Sequence, residues 1–563
     1  MQCRVVHAVT GVLIMLAAMA SAGSTANSTP EGSADWAAQR TFSLYPGMGS
    51  VNYPVTTKSP LAQSYFDQGL AFAYGFNHDE AEQSFGQAAR IDPRMAMAYW
   101  GTALVLGPNY NLPGDAERGA RAHKAILRAQ AFDGSVGATE RDLIEALAYR
   151  YGYDGKETQE RDQAYADAMR KVAHRYPDDA DVQVLFAESL MDLHPWQLWS
   201  SDGKPNFDTV EIVTTLEAVL KKHPNHVGAN HYYIHAVEAS NDPARALPSA
   251  DRLAALAPAA GHLVHMPAHI YIRTGRYHTA AVTNENAIKV DEEFFAKNIE
   301  GGVYPIMYYS HNIHFLCYSE MMEGRSRDAL ASARKLNSVV TVAAVREMPM
   351  AEYMLPTPLL VEARFGEWNV ITQEPAPPSD LSYASGVWHY ARGLAFAAMG
   401  KLAQADRERE ELHKITGSIP TDRVLGTSNN AQKVSELAET VLTGEIASAR
   451  GDHAEAIARL SDGVQMQDAL IYDEPPIWYF PVREVLGAEL IAAGQAAQAE
   501  AVYRSDLKIN PGNPRSLHGL AQSLRAQSKK QEAAKCENQF KSAWHYADVT
   551  PEPVRFRHAP PRS

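Results

Sequence analysis

Small, aromatic and proline residues recur at a spacing that constrains the fold of this chain more than any other feature. In residues 62–95 they stand at fixed offsets of a repeat of roughly 34 residues: Gly69, Phe72, Ala81, Phe85, Ala88 and Pro93. Small residues let two helices of a hairpin approach closely, and a proline ends the second helix. The spacing returns at Gly487, Gly494, Ala499, Tyr503 and Pro511. No alternating strand pattern exceeds a few residues, so the sequence predicts an all-α fold.

This spacing resembles the tetratricopeptide repeat (TPR), a family of helical hairpins. The resemblance implies a TPR-type α-solenoid, in which stacked antiparallel hairpins form a superhelix with a concave groove. Further units are expected to begin near Ala96, Ala180, Val227, Gly261, Ser310, Glu352, Gly386, Leu437, Phe480 and Pro514. A chain of 563 residues exceeds what one compact core holds, which also favours a repeat array.

Composition and repeat quality divide the chain into predicted segments. They are a signal peptide at 1–22, a flexible segment at 23–58, N-terminal units and irregular helices at 59–179, central units at 180–371, C-terminal units at 380–549 and an irregular tail at 550–563. An insertion at Asp291–Tyr309, rich in Phe, Tyr and Gly, interrupts the central units. Such insertions usually sit on one face of a solenoid, and this one could cover the groove.

Histidine is concentrated in three of the central units. Ten of the 21 histidines lie between His223 and His314, in runs where polar residues recur three, four or seven apart. That spacing places them on one face of a helix. The TPR resemblance implies that the second, fifth, ninth and twelfth residues of a unit line the groove. With the register set by second-helix alanines, those positions hold His231, His235, Glu238, His262, His265, His269, His311 and His314.

Imidazoles on adjacent helices can share a transition metal, with bonds of roughly 2.0–2.1 Å. A nitrogen-dominated shell suits Zn or Cu, suits Fe less well, and suits Mg or Ca poorly. The sequence therefore predicts that these seven histidines and Glu238 form a metal site in the groove. The alternative is that they clasp a peptide without any metal. Seven histidines exceed what one metal needs, so two metals, or one metal with spare histidines, are both open.

Candidates for acid–base chemistry accompany the histidines. Glu238 could accept a proton, and so could Glu188 or Asp192, one turn apart on a neighbouring first helix. These two carboxylates could also be metal ligands or solvated charges. The sequence contains no nucleophile elbow, no phosphate-binding P-loop and no H-E-x-x-H motif, so it names no reaction.

Longer strings carry a closer resemblance. They are residues 76–81 (FNHDEA), 97–101 (MAYWG), 231–240, 265–277 and 475–486. These strings resemble a family of exported bacterial TPR proteins for which no established activity is known. The resemblance covers nearly the whole mature chain. It implies the TPR fold and a location in the bacterial envelope, either periplasmic or secreted.

The net charge and the predicted localisation restrict the classes of partner that this protein can bind. A net charge of −14 and a pI near 5.8 argue against nucleic acid or an anionic membrane surface. Two hypotheses remain: a metalloprotein of the envelope, with hydrolytic or oxidative chemistry on a small substrate, and a scaffold that binds a peptide segment or an envelope protein. A scaffold would carry mixed groove residues in every unit. A metal site would concentrate one ligand type in a few adjacent units, which this sequence does.

We expect cleavage of the precursor between Ala22 and Gly23. Arg4 precedes an apolar run from Ala8 to Ala20, which is too short to span a bilayer comfortably and ends in a small-residue cleavage site. Sequencing the N-terminus of periplasmic protein should therefore read Gly23 first. Intact Met1 on exported protein, or protein confined to the cytoplasm, would contradict the expectation.

Overall fold

The computed structural model describes residues 43–152, 157–297 and 303–550. The predicted signal peptide and residues 551–563 of the predicted tail lie outside the described residues. The described residues form two compact units: the first comprises residues 43–267 without 153–156, together with 289–297 and 303–304, and the second comprises residues 268–288 and 305–550. Two helices, α12 and α13, whose bounds are given below, contribute residues to both units.

Helices account for nearly all of the regular structure in the described parts of both units. The first unit contains α1 (Pro60–Tyr74), α2 (His78–Ile91), α3 (Ala96–Val105), α4 (Ala116–Gln130), α5 (Ala138–Ala148), α6 (Thr158–Arg175), α7 (Ala180–Met191), α8 (Thr209–Lys222), α9 (Val227–Glu238), α10 (Leu247–Leu256) and α11 (Gly261–His265). Then come α12 (Pro267–Arg273) and α13 (Tyr277–Phe295).

The second unit continues with a further series of helices. They are α14 (Ser310–Glu323), α15 (Ser326–Val339), α16 (Val342–Glu347), α17 (Thr357–Phe365), α18 (Trp368–Ile371), α19 (Ser382–Ala398), α20 (Leu402–Ser418), α21 (Ala431–Arg450), α22 (His453–Asp468), α23 (Val482–Ala492), α24 (Ala496–Ile509), α25 (Pro514–Ala526) and α26 (Lys530–Ala543). One short antiparallel pair, Val424–Leu425 with Asn429–Asn430, interrupts them.

Successive helices joined by short turns pack against each other in both units, as in α1 with α2, α21 with α22 and α25 with α26. Short connections of this kind join antiparallel neighbours. The predicted all-α class is therefore confirmed, and each unit consists of TPR-type helical hairpins stacked as in a solenoid. Within the described residues, no helix is long and apolar enough to cross a membrane.

One interlock explains why the predicted small and aromatic positions matter. The ring of Phe85 on α2 lies between Gly69 on α1 and Gly101 on α3, and a Cβ atom there would come within 2.7 and 2.6 Å of it. Phe85 is fully buried. In the second unit Tyr503 lies in the same way between Gly487 and Gly519, so the aromatic side chain fills a space that only glycine leaves.

The histidine-bearing units begin where the sequence predicts, at Val227, Gly261 and Ser310. The second of them departs from a single helix, since α11 ends at His265 and α12 begins at Pro267. Proline has no backbone N–H to donate to the preceding turn, which accounts for the break. His262 and His265 therefore stand on α11, and His269 stands on α12.

Replacing Gly69 with Ala should lower the free energy of unfolding by about 1–3 kcal/mol, because the added methyl group meets the buried ring of Phe85. Urea unfolding followed by circular dichroism would measure the change. Gly119→Ala is the matched control, since Gly119 also lies in a helix of the first unit and nothing lies within 4 Å of its Cβ position. That control should be stabilising by about 0.5–1 kcal/mol, and equal effects at both sites would contradict the interlock.

Candidate metal centre

Three buried histidines of the first unit come together on two helices. His231 and His235 stand one turn apart on α9, and His262 stands on α11. One ring nitrogen from each lies within 4.8 Å of the other two. Their exposed fractions are 0%, 1% and 2%, so the group lies inside the protein rather than on its surface. Three imidazoles so close together suit a shared ligand, since three positive charges at this distance would repel.

Hydrogen bonds orient two of these rings. His231 Nδ1 lies 2.6 Å from the carbonyl oxygen of Tyr74. A carbonyl oxygen only accepts, so Nδ1 carries the proton and the lone pair falls on Nε2. His235 Nδ1 lies 2.8 Å from Oε1 of Glu238, and an ionised carboxylate has the same effect. Metal-bound histidines usually donate their other N–H to a carboxylate or a backbone carbonyl in this manner.

Glu238 was predicted as a ligand and as a candidate proton acceptor. In the first unit the structure gives it a different contact, the one to the His235 ring, and its side chain is buried. This contact holds the ring and sets its tautomer. Glu238 can therefore act on a bound metal through His235.

Aromatic rings enclose the three histidines. The ring centroid of Phe76 lies 4.6 Å from that of His231, 5.7 Å from that of His235 and 5.8 Å from that of His262. Tyr110 lies 5.2 Å from His235. These rings exclude water and lower the local dielectric, which strengthens any electrostatic interaction inside.

Sequence reasoning missed the part played by Phe76. It lies in the turn between α1 and α2 with a φ of 57°, a left-handed conformation that is uncommon for a bulky residue. Such strained positions cluster at functional sites. The sequence carried only a weak signal for this, because the turn between two helices was predicted but not the direction of its side chain.

Two further predicted features lie beside this group in the first unit. His265 is fully buried, and its ring stacks on that of His262 at 5.9 Å. The insertion at Asp291–Tyr309 contacts α11 through Tyr304, whose hydroxyl donates to Asp291 at 3.0 Å and accepts from the His262 N–H at 3.2 Å. A role for this segment as a cover stays a prediction.

The remaining predicted histidines belong to the second unit. His269 Nε2 lies 3.4 Å from His311 Nε2. Two nitrogens bound to one tetrahedral metal at 2.0–2.1 Å are separated by roughly the same distance. His269 Nδ1 lies 2.8 Å from Oε2 of Glu474, a buried carboxylate that sequence reasoning missed because it is about two hundred residues away in the chain.

His314 has aromatic neighbours in the second unit. Its ring stacks on Tyr479 at 5.0 Å and meets Tyr353 at 5.5 Å. Burial lowers its pKa to about 3, so the ring is neutral at physiological pH. The structure thus divides the eight predicted ligands between two units, and their convergence on one groove stays a prediction.

Glu188 and Asp192 form a buried acidic pair in the first unit. Burial, and next the charge of Asp192, raise the pKa of Glu188 to about 8. Burial also raises the pKa of Asp192 to about 7, although its carboxylate lies 3.1 Å from Arg150 Nη2. Both side chains are removed from water, so they are not the solvated charges that the sequence left open. A carboxyl group that stays protonated near neutral pH can donate or accept a proton.

No known family model and no curated protein matches this sequence. Among solved structures, similarity extends to a human IFIT1 dimer with m7Gppp-AAAA, at 12% identity and a TM-score of 0.34 over 87% of this chain and 91% of that one. The APC/C hetero-tetramer Cut9–Hcn1 matches at 13% identity and a TM-score of 0.32 over 82% and 76% of the two chains. Yeast Tom70 matches at 10% and 0.27 over 85% and 90%. Scores this low carry no argument about function, and the fold rests on the helix pairs described above.

Replacing Glu188 with Gln should flatten the dependence of stability on pH. A raised pKa means that the folded state holds a proton that the unfolded state releases. The contribution of this proton to the free energy of unfolding is therefore fully present below pH 4.5 and is lost as the pH rises towards 8. One such proton contributes a slope of about 1.4 kcal/mol per pH unit. Urea unfolding between pH 5.5 and 8 would show a smaller slope for Glu188→Gln. The exposed Glu145→Gln on α5 should keep the wild-type slope, and an unchanged slope in Glu188→Gln would contradict the assignment.

Proposed function

We propose that this protein binds a transition metal through His231, His235 and His262. The observation that carries the proposal is the approach of three buried imidazole nitrogens within 4.8 Å of one another. The two anchored Nδ1 atoms support it, because they direct the lone pairs of two rings to Nε2. We also propose that the protein is located in the bacterial envelope, which depends on the export signal predicted at residues 1–22.

The donors suit Zn or Cu best. All three are imidazole nitrogens, which favour Zn, Cu, Fe and Ni over Mg or Ca. Three protein ligands with room for a fourth group are the usual set in catalytic zinc sites, whereas structural sites are closed by four ligands. A bound Zn would supply a water of lowered pKa or polarise a carbonyl group.

The chain's own residues define what else this site can do. Glu238 holds the His235 ring, and the Tyr74 carbonyl holds His231, so both positions are set before a ligand arrives. Phe76 keeps water away from one side of the group. His265, stacked beside His262, supplies a further imidazole that could accept a proton from a substrate. Metal binding is the proposal, and catalysis would require a substrate that reaches this buried group.

The second unit carries a separate pair of candidate ligands. His269 and His311 have their Nε2 atoms at a separation that suits one metal, and Glu474 orients the His269 ring. Two nitrogens alone make a weaker site than three. We therefore propose the His231 group as the main site and treat the His269 pair as a second site to be tested on its own.

Peptide binding is the second candidate function. The observation that favours it is the stack of TPR-type hairpins in each unit, since such repeats commonly present an extended binding surface. A scaffold of this kind would keep its structure and its partner when metal is removed. The experiment below therefore separates the two functions.

Changing His231 and His262 together to Asn should remove one equivalent of bound metal. Asn keeps a polar side chain in the buried site but lacks the imidazole ligand. Untagged protein loaded with Zn²⁺ and dialysed would be measured by elemental analysis, and Co²⁺-loaded protein would be examined by visible absorption. The wild type should show the bands of a tetrahedral Co²⁺ ion, and the double variant should lose them.

The matched control is the double variant His174→Ala with His223→Ala. Both side chains are exposed in the first unit, so metal content should not change. His269→Asn with His311→Asn would test the second unit in the same way. Unchanged metal content in the His231/His262 variant, with circular dichroism confirming its fold, would overturn the proposed site. Absence of metal from the wild type after loading with Zn, Cu and Fe would favour the peptide scaffold.

A further inference from the structure

A groove unrelated to the histidine groups lies on the surface of the second unit. Helices α24 and α26 form its walls and α25 forms its floor, while residues at the start of α13 and the end of α14 complete the lining. Its volume is about 900 Å³. On α26 the lining runs from Glu532 to Ala543, which is about 16 Å of helix. None of the eight predicted metal ligands lines this groove.

The groove lies on the face formed by second helices of the repeats. The units that begin near Phe480 and Pro514 have α23 and α25 as first helices and α24 and α26 as second helices. The TPR resemblance implies that first helices line the concave groove of such an array. The groove between α24 and α26 is therefore a different surface from the one on which the histidines were predicted.

Apolar side chains form the floor of this groove. Leu517 and Leu520 of α25 are 6% and 3% exposed, and Leu507 of α24, which is partly exposed, lines the groove with them. Tyr546 lies at the rim, where it is 49% exposed and its ring stacks on that of His278 at 3.7 Å. Covering the exposed part of this apolar surface with a partner's side chain would favour binding.

The charges along the groove have the opposite sign to that of the whole chain. The lining has two more cationic than anionic side chains, whereas the chain carries a net charge of −14. The cations are Arg276, Arg504, Lys508 and Lys535, and the carboxylates are Glu323 and Glu532. The groove therefore attracts negative charge on a protein that otherwise repels it.

Both carboxylates of the lining are already paired within the protein. Glu532 on one wall lies 2.8 Å from Arg504 on the other, so their charges largely cancel. Glu323 is buried and pairs with a histidine and an arginine. Lys508 and Lys535, in contrast, are exposed, and neither forms an ion pair in the part of the chain that the structure describes. These two ammonium groups are available to the carboxylates of a partner.

We infer that this groove binds a short acidic segment of a partner protein in extended form. An apolar side chain of the segment would lie on Leu507, Leu517 and Leu520, and its carboxylates would pair with Lys508 and Lys535. The length of the α26 wall matches about five extended residues. The inference is independent of the proposed metal site, and it extends the second candidate function to the second-helix face of the repeats.

Two other occupants agree less well with these observations. Nucleic acid would offer phosphates to the lysines, but it would not use the leucine floor, and the chain's charge of −14 would repel it. Residues 551–563 of this chain carry three arginines and one glutamate, an excess of the same sign as the groove. An acidic peptide with an apolar side chain suits both the floor and the lysines.

Selection of random peptides displayed on phage against the immobilised full chain, kept in EDTA so that no metal is bound, would test the inference. The enriched peptides should share a net negative charge and at least one Leu, Ile or Phe. The tightest of them, synthesised with a fluorescent label, should bind saturably in fluorescence anisotropy and more weakly as the salt concentration rises. Enrichment of basic peptides, or no enrichment, would overturn the inference.

Charge-reversal variants locate the binding in this groove. Lys508→Glu with Lys535→Glu should weaken binding of that peptide by about tenfold or more, because repulsion replaces attraction. Lys530→Glu with Lys541→Glu is the matched control, since both lysines are exposed on α26 outside the groove. Its affinity should change by less than about twofold.

The two pairs of variants also separate this inference from the second candidate function. Equal loss in both pairs would mean that overall charge, and not the groove, attracts the peptide, and would overturn the inference. An acidic peptide that binds all variants equally well would lie elsewhere on the repeats. That result would overturn the groove as its site and leave the peptide scaffold standing.

A second pair of variants tests the apolar floor. Leu507→Ser should weaken binding of the same peptide several-fold, because it removes apolar surface from the groove. Ile509→Ser, which changes a side chain that is 43% exposed on the same helix and outside the groove, should not. Circular dichroism would confirm that both variants fold. Equal affinities for the two would overturn the role of the floor.

Competition experiments test the choice of partner. A synthetic peptide with the sequence of residues 551–563 should not displace the labelled acidic peptide, and neither should a single-stranded oligonucleotide. Displacement by the first would assign the groove to the chain's own C-terminal residues. Displacement by the second would assign it to nucleic acid, and either result would overturn the inference.

Discussion

The approach of α9 to α1 is the contact on which the histidine site depends. A Cβ atom at Gly228, in the first turn of α9, would come within 2.6 Å of the Tyr74 ring. Because residue 228 is glycine, α9 can lie against the end of α1, and His231 reaches the Tyr74 carbonyl at 2.6 Å. The hydroxyl of Tyr74 donates to Asp181 on α7 at 2.5 Å, which ties a third helix to the same residue. The orientation of the first imidazole is therefore a consequence of backbone packing.

Burial determines the chemistry that this packing allows. A polar group removed from water must find a partner, or its desolvation weakens the fold. Both anchored histidines of the first unit meet this condition through Nδ1. In the second unit, His269 Nδ1 lies 2.8 Å from Oε2 of Glu474. A hydrogen bond of this kind also prepares a histidine to bind a metal, because a ring that donates through one nitrogen offers its lone pair on the other.

Buried acids follow a different rule from buried imidazoles in this protein. Burial raises the pKa of both Glu188 and Asp192, the charge of Asp192 adds to the effect on Glu188, and Arg150 offsets only part of these effects. Glu484 of the second unit is also buried, and it forms a bidentate pair with Arg364, with N–O distances of 2.6 and 3.0 Å. Desolvation favours the protonated form of Glu188 and Asp192. The local surroundings, rather than residue type, decide which of these roles a carboxyl group takes.

The sequence by itself determined the hairpin pattern and the candidate ligand list. Small and aromatic residues such as Gly69 and Phe85 fall at offsets set by helix geometry, and local periodicity is visible in one dimension. The helix starts at Val227, Gly261 and Ser310 were predictable for the same reason. The contact of Glu238 with His235 is local as well, because the two residues stand three apart on α9. Only the tertiary structure decided that Phe76 covers the group and that Glu474 lies beside His269. These contacts depend on side-chain directions and on residues distant in the chain, and no local pattern encodes either of them.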